Sequence, residues 1–206
     1  MIKKLAIAAL AGLLWATPAR AQRVSANLTA TTANEVRGMP ISEHPMLNPS
    51  IGVSYNACSG GVFANYDTQT RSVAISGVSA SCSTGALSGG LAQLRFGGGV
   101  LAREAYVTLT GSGKWAPYAF AARTLGGDNG LYGEVGASRK VGALEVDVAA
   151  AYNRHYYRSG RGFSHVELGA HKSFALRGLT VTPGAHYTLR ADGSRDALGM
   201  VSVSAK

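Results

Sequence analysis

Apolar and polar side chains alternate along the stretch GALEVDVAAAYN. Leu144, Val146 and Val148 fall on one face of an extended chain, while Glu145 and Asp147 fall on the other. A repeat of two residues indicates a β-strand with one apolar and one polar face. The stretches SHVELGAHKS and GLTVTPGAHYTLR repeat the pattern, so we predict strands there as well.

The same alternation, interrupted by turn signals rich in glycine, asparagine and aspartate, divides the chain into segments of strand length. These segments lie near residues 23–36, 47–57, 61–67, 71–80, 87–97, 103–111, 114–124, 130–139, 142–154, 163–174, 179–190 and 197–205. Short connections between successive strands predict an all-β, antiparallel, up-and-down sheet. We expect twelve strands from these segments, with eight or ten as alternatives.

Such a sheet closes into a barrel or folds into a soluble sandwich, and the polar face distinguishes the two. A soluble sheet presents a lysine-rich face to water, whereas the polar face here carries glutamate, aspartate and histidine. Strands of about 10 residues, in even number and with one apolar face, are typical of membrane barrels. Closure also satisfies every backbone group, which a bilayer requires. We therefore predict one transmembrane β-barrel domain over residues 22–206.

The first residues predict export. Lys3 and Lys4 precede the apolar run LAIAALAGLLWA, and TPARA follows, which is the pattern of a signal peptide over residues 1–21. The apolar run is shorter than the roughly 20 residues that a membrane-spanning helix needs. The net charge of +9 falls by three to +6 when Lys3, Lys4 and Arg20 leave. Export disfavours nucleic acid as a partner and favours outer-membrane lipid and the phosphates of lipopolysaccharide.

The chain has two cysteines, Cys58 in NACSGG and Cys82 in SASCSTG. An even count in an exported chain favours a disulfide, and two unpaired thiols are the alternative. Because connections alternate between the two ends of an up-and-down barrel, both cysteines fall in turns at the periplasmic end. We therefore predict a disulfide between Cys58 and Cys82 that joins adjacent turns.

The candidate chemistry lies on three consecutive predicted strands. By parity, one set of acids and histidines faces the lumen: Glu145, Asp147, His165, Glu167, His171 and His186. Such a cluster filters ions or binds a solute, and the alternative is an internal network of ion pairs that fills the lumen. The spacing of His165, Glu167 and His171 permits metal binding, but no fixed motif supports it. Zinc and dinucleotide motifs are absent from the sequence, and FGGGV lacks the lysine of a phosphate-binding loop, so neither a metal nor a cofactor is expected.

The segment NRHYYRSGRG is predicted to be an extracellular loop rich in guanidinium groups. It carries Arg154, His155, Arg158 and Arg161 beside two tyrosines. Arginine binds phosphate through two parallel hydrogen bonds, so one interpretation is a loop that holds lipopolysaccharide phosphates. The alternative is a solvated loop whose tyrosines lie at the lipid headgroups.

A hydrolase is a second class of function. Ser159 and Ser164 lie close in sequence to His155 and His165, with Glu167 nearby, which are the residue types of a nucleophile, a base and an acid. Outer-membrane lipid A deacylases resemble one another in a histidine and a serine two positions apart, whereas HYYRS separates them by four. We therefore expect no enzyme, and a structural or adhesin-like barrel is the other alternative to a pore.

Three stretches carry a family resemblance. SANLTATTANEVRGMPIS, NPSIGVSYNACSGGVFANYDT and LYGEVGASRKVGALEVDVAAAYN together resemble the TorF-type family of small outer-membrane porins. In that family the first strand runs into an arginine and a glycine, which correspond to Arg37 and Gly38. The resemblance implies a small barrel with a pore of unassigned solute and no catalytic residue. The residues before Arg37 are not the aromatic ones usual there.

The end of the chain also departs from the usual pattern. Outer-membrane barrels commonly close on an aromatic residue that signals the barrel-assembly machinery, whereas this chain closes on Lys206. We nevertheless expect that machinery to be a partner, because a transmembrane barrel is the predicted fold.

Overall fold

The computed structural model describes residues 22–37, 39–97, 99, 101–126, 129–156 and 161–205. Within that part of the chain the regular structure consists of β-strands. In chain order they are β1 (Gln22–Thr31), β2 (Asn34–Val36), β3 (Met39–Ser42), β4 (Met46–Tyr55), β5 (Cys58–Asp67), β6 (Ser72–Thr84), β7 (Leu87–Phe96), β8 (Leu101–Thr110), β9 (Ala116–Thr124), β10 (Leu131–Val141), β11 (Leu144–Arg154), β12 (Arg161–His171), β13 (Phe174–Leu176), β14 (Leu179–Arg190) and β15 (Arg195–Ala205). No helix among the described residues is long and apolar enough to cross a membrane.

Twelve of these strands form a closed antiparallel barrel. The order around it is β1, β4 to β12, β14 and β15, and every neighbouring pair is antiparallel. Two pairings complete the closure: Ala26 of β1 lies opposite Ala205 of β15, and His165 of β12 lies opposite Arg190 of β14. The predicted up-and-down architecture with twelve strands is therefore confirmed, and the sandwich alternative is wrong.

The outer face of the barrel is apolar and exposed. Along β11, Val148 is 39% exposed and points outward, whereas the next residue, Ala149, is 6% exposed and points into the lumen. The same alternation on other strands leaves large apolar side chains outside, among them Val24, Leu28, Ile51, Leu91, Leu109, Val135, Leu168 and Val201. An apolar outer face around a polar interior is the arrangement that a bilayer stabilises.

The predicted disulfide between Cys58 and Cys82 is present. The cysteines lie directly opposite each other in β5 and β6, with their Cα atoms 4.0 Å apart. Their predicted location in turns is wrong, because Cys58 is the first residue of β5, directly after the turn at 56–57, and β6 continues past Cys82 to the turn at 85–86. The bridge joins two strands at the end of the barrel where β1 begins and β15 ends. We call this end the terminal end and the opposite one the loop end.

The first predicted strand, 23–36, is wrong in its second half. β1 ends at Thr31, and β2 and β3 form a separate hairpin whose turn contains Arg37. Arg37 has a φ of 54°, a left-handed conformation that a non-glycine residue keeps only where its surroundings hold it. The hairpin folds into the lumen, where Arg37 forms an ion pair with Glu104 of β8 and Glu35 forms one with Arg190 of β14. We call it the lumen hairpin.

Candidate functional site

Arg37, in the turn of the lumen hairpin, is held by the barrel wall. Its two terminal nitrogens each donate to one carboxylate oxygen of Glu104 at 2.6 Å. Glu104 lies on β8 and is only 2% exposed. The Tyr156 hydroxyl accepts from Arg37 and donates to Glu104. Paired hydrogen bonds of this kind fix both the position and the orientation of a guanidinium group.

Aromatic rings surround this ion pair. The guanidinium carbon of Arg37 lies 4.9 Å from the ring centre of Phe120, 5.2 Å from that of Tyr156 and 5.9 Å from that of Tyr132. The rings also contact one another, with Tyr132 6.1 Å from Phe120 and 5.8 Å from Tyr156. Cation–π attraction is stronger where water is excluded, so the cage stabilises the inward position of the hairpin.

Tyr156 does not lie at the lipid headgroups, which were one predicted location for the tyrosines of this loop. It is buried, because Asn153 holds its backbone on both sides: the Asn153 oxygen accepts from Tyr156 N at 3.0 Å, and the Asn153 amide donates to Tyr156 O at 3.2 Å. These bonds bend the chain after β11 inward and direct the ring to Arg37. Tyr157 of the same segment lies outside the described residues.

A second ion pair fixes the other side of the hairpin. Glu35 of β2 accepts from Arg190 of β14 at 2.6 Å, and both side chains are 10% exposed. Arg190 also contacts Asp196 of β15 at 2.5 Å. β8 and β14 are five steps apart in a ring of twelve strands, so they are almost opposite each other. The lumen hairpin therefore crosses most of the barrel near the loop end.

Five of the six lumen candidates lie together on β11, β12 and β14. Nδ1 of His186 lies 2.6 Å from a carboxylate oxygen of Glu167. His171 contacts two acids, with Nε2 3.6 Å from Glu145 and Nδ1 3.8 Å from Asp147. All five side chains are partly exposed. Each histidine is paired with carboxylate, so protonation of the imidazoles changes the charge of this part of the wall.

The strand register brings these side chains together. Asp147 of β11 and His186 of β14 both lie opposite Gly169 of β12. A Cβ atom at Gly169 would overlap the carboxylate of Asp147. Glycine at this position therefore leaves the space in which an acid from one strand leans over its neighbour. Gly169 was not predicted as a site residue, because a glycine carries no signal of which side chain lies over it.

Asp147, Glu167, His171 and His186 of the cluster line a cavity of 490 Å³ on the terminal side of the lumen hairpin. Glu134 of β10 completes its acidic wall, and the Tyr118 hydroxyl donates to it at 2.6 Å. Tyr132 donates to the other oxygen of Glu134. Glu104 and Glu134 were not predicted as site residues, although both belong to alternating strands and parity would have placed them on the lumen face.

Three side chains of the cluster have the spacing of metal ligands. Asp147, Glu167 and His186 each offer one atom, and these atoms all lie within 4.8 Å of one another. The three residues whose sequence spacing permits metal binding, His165, Glu167 and His171, are a different set. Carboxylate and imidazole groups together suit a divalent transition metal. The Nδ1 atom of His186 already contacts Glu167, however, so a metal would have to replace that hydrogen bond.

His165 lies closer to the loop end than the other lumen candidates, where it lines a smaller cavity with Glu167 and Arg37. It is 1% exposed, its ring centre is 6.4 Å from that of Tyr132, and its Nδ1 lies 3.1 Å from the Ser164 hydroxyl. Ser164 is an extra residue of β12 at the point where its register with β11 shifts. This shift is why Ser164 and His165, although adjacent in the chain, are both buried. Ser159, the other serine considered as a nucleophile, lies outside the described residues.

The two ends of the predicted basic loop belong to strands. Arg154 is the last residue of β11 and Arg161 the first of β12, and both are exposed on the outer face. His155 is exposed and has a φ of 52°. Arg158 lies outside the described residues, as does Gly38 of the family motif.

Charge is distributed unevenly between the two faces of the barrel. On the strands that form the described barrel wall, the acids point inward: Asp67, Glu104, Glu134, Glu145, Asp147, Glu167 and Asp196. They outnumber the cations of the wall that face the same way, which are Arg23, Lys140 and Arg190. The lumen is therefore acidic although the whole chain is basic.

Comparison with known proteins gives relatives by fold. No family model matches the sequence, and no curated protein matches it. The KdgM porin shares 8% identity at a TM-score of 0.56, over 88% of this chain and 98% of that chain. A structure from work on the in-meso crystallization of membrane proteins shares 10% identity at a TM-score of 0.55, over 88% and 82%. OccK5 of Pseudomonas aeruginosa shares 11% at a TM-score of 0.40, over 90% and 67%. The chain has the fold of small membrane barrels.

Proposed function

We propose that the chain is a small outer-membrane channel for small hydrophilic solutes, with the lumen hairpin as its constriction. The observation that carries this function is a closed barrel with an apolar outer face around a polar cavity of 490 Å³. The fold likeness to the KdgM porin supports it. The TorF-type resemblance supports it too, since Arg37 of the family motif anchors the hairpin.

The acidic wall gives this channel a preference for cations. Glu134, Glu145, Asp147 and Glu167 lie in or beside the cavity, and carboxylates that line a pore attract cations and repel anions. His171 and His186 moderate that charge, because each gains a positive charge when its imidazole is protonated.

Single-channel recording in planar bilayers tests the proposal. The purified chain is expected to conduct in discrete steps, and its reversal potential under a salt gradient is expected to show cation preference. The double variant Glu145→Gln with Asp147→Asn should lower that preference. A matched control, Glu43→Gln with Asp192→Asn, removes two exposed carboxylates from connecting segments and should leave the preference close to that of wild type.

A closed structural barrel is the second candidate, and the lumen hairpin favours it. Two ion pairs and an aromatic cage hold the hairpin across the lumen. The variant Arg37→Ala with Glu35→Ala removes both anchors. A silent wild type beside a conducting variant would show that the hairpin is a plug. Silence in both would contradict the channel function.

A hydrolase receives no support from the geometry. Ser164 and His165 are in contact, but each is 1% exposed and faces the interior, where a lipid substrate does not reach. We therefore propose no hydrolytic reaction for this pair. Incubation of the purified chain with lipid A, followed by mass spectrometry, would show cleavage if the pair acted on lipid.

A further inference from the structure

Five arginines form a belt on the outer face of the barrel at the loop end. We call it the arginine belt, and its members are Arg95, Arg103, Arg123, Arg154 and Arg161. They lie on strands from β7 to β12, and all five side chains are exposed. They share the outer face with apolar residues directly opposite them in register: Arg95 lies opposite Leu101, and Arg123 lies opposite Leu131.

The register makes the belt continuous. Arg154 lies directly opposite Arg161. Arg123 and Arg154 both lie opposite Leu131, so one strand separates them, which corresponds to roughly 10 Å. Arg103 is two residues from the partners of Arg95 and of Arg123, which makes it the diagonal neighbour of both, at about 7–8 Å.

No ion pair within the described part of the chain neutralises the belt. The salt bridges of arginine among those residues involve Arg37 and Arg190, which face the lumen. The wall acids also point inward, away from the belt. Like charges directly opposite each other on a sheet are destabilising, as Arg154 and Arg161 are here. An anion bound between them removes that repulsion.

The position of the belt along the barrel matches the depth of lipid headgroups. Each arginine lies within two residues of a strand end, which is within about 7 Å at the rise of an extended chain. Outward positions closer to the middle of the barrel include the exposed apolar residues Leu91, Val107, Val135 and Val148. Arginine on the lipid face is costly at the bilayer midplane and tolerated near the interface.

The terminal end has a different outer face. Arg139 of β10 points outward there, and its guanidinium carbon lies 5.4 Å from the ring centre of Trp115. Cations on the strands are therefore concentrated on one rim. In a barrel whose terminal end is periplasmic, the loop end meets the outer leaflet, whose glycolipid carries phosphate.

We propose that the arginine belt binds the phosphate groups of lipid A in the outer leaflet. Arg154 and Arg161 hold one phosphate between them, with Arg123 and Arg103 extending the contact along the rim. The Tyr152 hydroxyl accepts from Nε of Arg161 at 3.1 Å and orients its guanidinium group. Guanidinium groups bind phosphate through paired hydrogen bonds, which gives this surface a specific partner. This inference rests on the proposed outer-membrane location.

The experiment measures binding of fluorescent lipid A by the purified full chain in detergent. The triple variant Arg123→Gln, Arg154→Gln and Arg161→Gln should weaken binding roughly tenfold or more, because paired charged hydrogen bonds are lost. A control with the same loss of charge at the terminal end, Lys114→Gln, Arg139→Gln and Arg177→Gln, should bind like wild type. Equal affinity in wild type and the belt variant would overturn the proposal.

Two further arms keep the test decisive. Lipid A with its phosphates removed should bind the wild type as weakly as intact lipid A binds the belt variant, and equal binding of both lipids by wild type would overturn the proposal. If the triple variant does not fold, Arg154→Gln with Arg161→Gln replaces it and should weaken binding severalfold. The binding experiment measures no conductance. A wild type that binds lipid A but does not conduct in bilayers would therefore contradict the channel function and leave the lipid A proposal standing.

Discussion

Arg37 of the lumen hairpin and Glu104 of β8 form a bidentate ion pair, with both nitrogen–oxygen distances at 2.6 Å. The two residues are 67 positions apart in the chain. The pair fixes the hairpin inside a barrel that would otherwise enclose a wider lumen. Because Glu104 is 2% exposed, its charge depends on Arg37 for compensation, and each residue is expected to need the other.

Glu104→Gln should therefore destabilise the barrel. Removing one partner of a buried pair leaves the other charge uncompensated, and we expect a loss of about 3 kcal/mol, because Arg37 is partly exposed. Urea unfolding of the chain in lipid vesicles measures this free energy. Arg71→Gln, in an exposed turn, is the control and should change it little. A Glu104 variant as stable as the control would show that the pair does not hold the hairpin.

Gly169→Ala should disturb the acidic cluster. A Cβ atom there overlaps the Asp147 carboxylate, so Asp147 must move away from His186 or the strands must separate. We expect lower cation preference with only a small loss of stability, because the overlapped carboxylate ends a flexible side chain that can turn away. Gly133→Ala is the control, because the nearest atom to its Cβ lies 4.0 Å away. Equal effects of the two substitutions on the reversal potential would contradict the role of Gly169.

Cation preference should fall as the pH is lowered from about 8 to about 5, because histidine gains positive charge over this range. The residue responsible is His186, whose Nδ1 lies 2.6 Å from a carboxylate oxygen of Glu167 in the cavity wall. His186→Gln should leave a preference that changes less with pH. His155 is exposed and lies outside the cavity, so His155→Gln is the control and should keep the wild-type response. Reversal potentials at a series of pH values measure the effect.

Substitutions on β11 should separate the two faces of the barrel. Val148→Arg places a charge on the apolar outer face and should cost about 2–4 kcal/mol near the bilayer midplane. Ala149→Arg places it beside the cavity, opposite Glu167, and should cost less. Unfolding in lipid vesicles compares them. If both substitutions destabilise equally, the outer face is not in contact with lipid.

Parity along single strands accounts for most of what could be predicted. Val148 and Ala149 differ by one position and face opposite ways, which follows from the two-residue repeat of an extended chain. The disulfide between Cys58 and Cys82 followed from alternation of the connections between the two ends. Where the prediction was wrong, at 23–36, polar alternation alone did not separate a barrel strand from the short strands of a hairpin.

The sequence by itself therefore determined the barrel, its strand number and which side of each strand is apolar, because these depend on neighbouring residues. Tertiary structure decided what lies inside. Arg37 meets Glu104 across 67 positions, and Asp147 leans over Gly169 toward His186 only after the sheet has closed. Such contacts depend on which residues that are distant in the chain become neighbours in space. Closure of the barrel determines the neighbours of all twelve strands together.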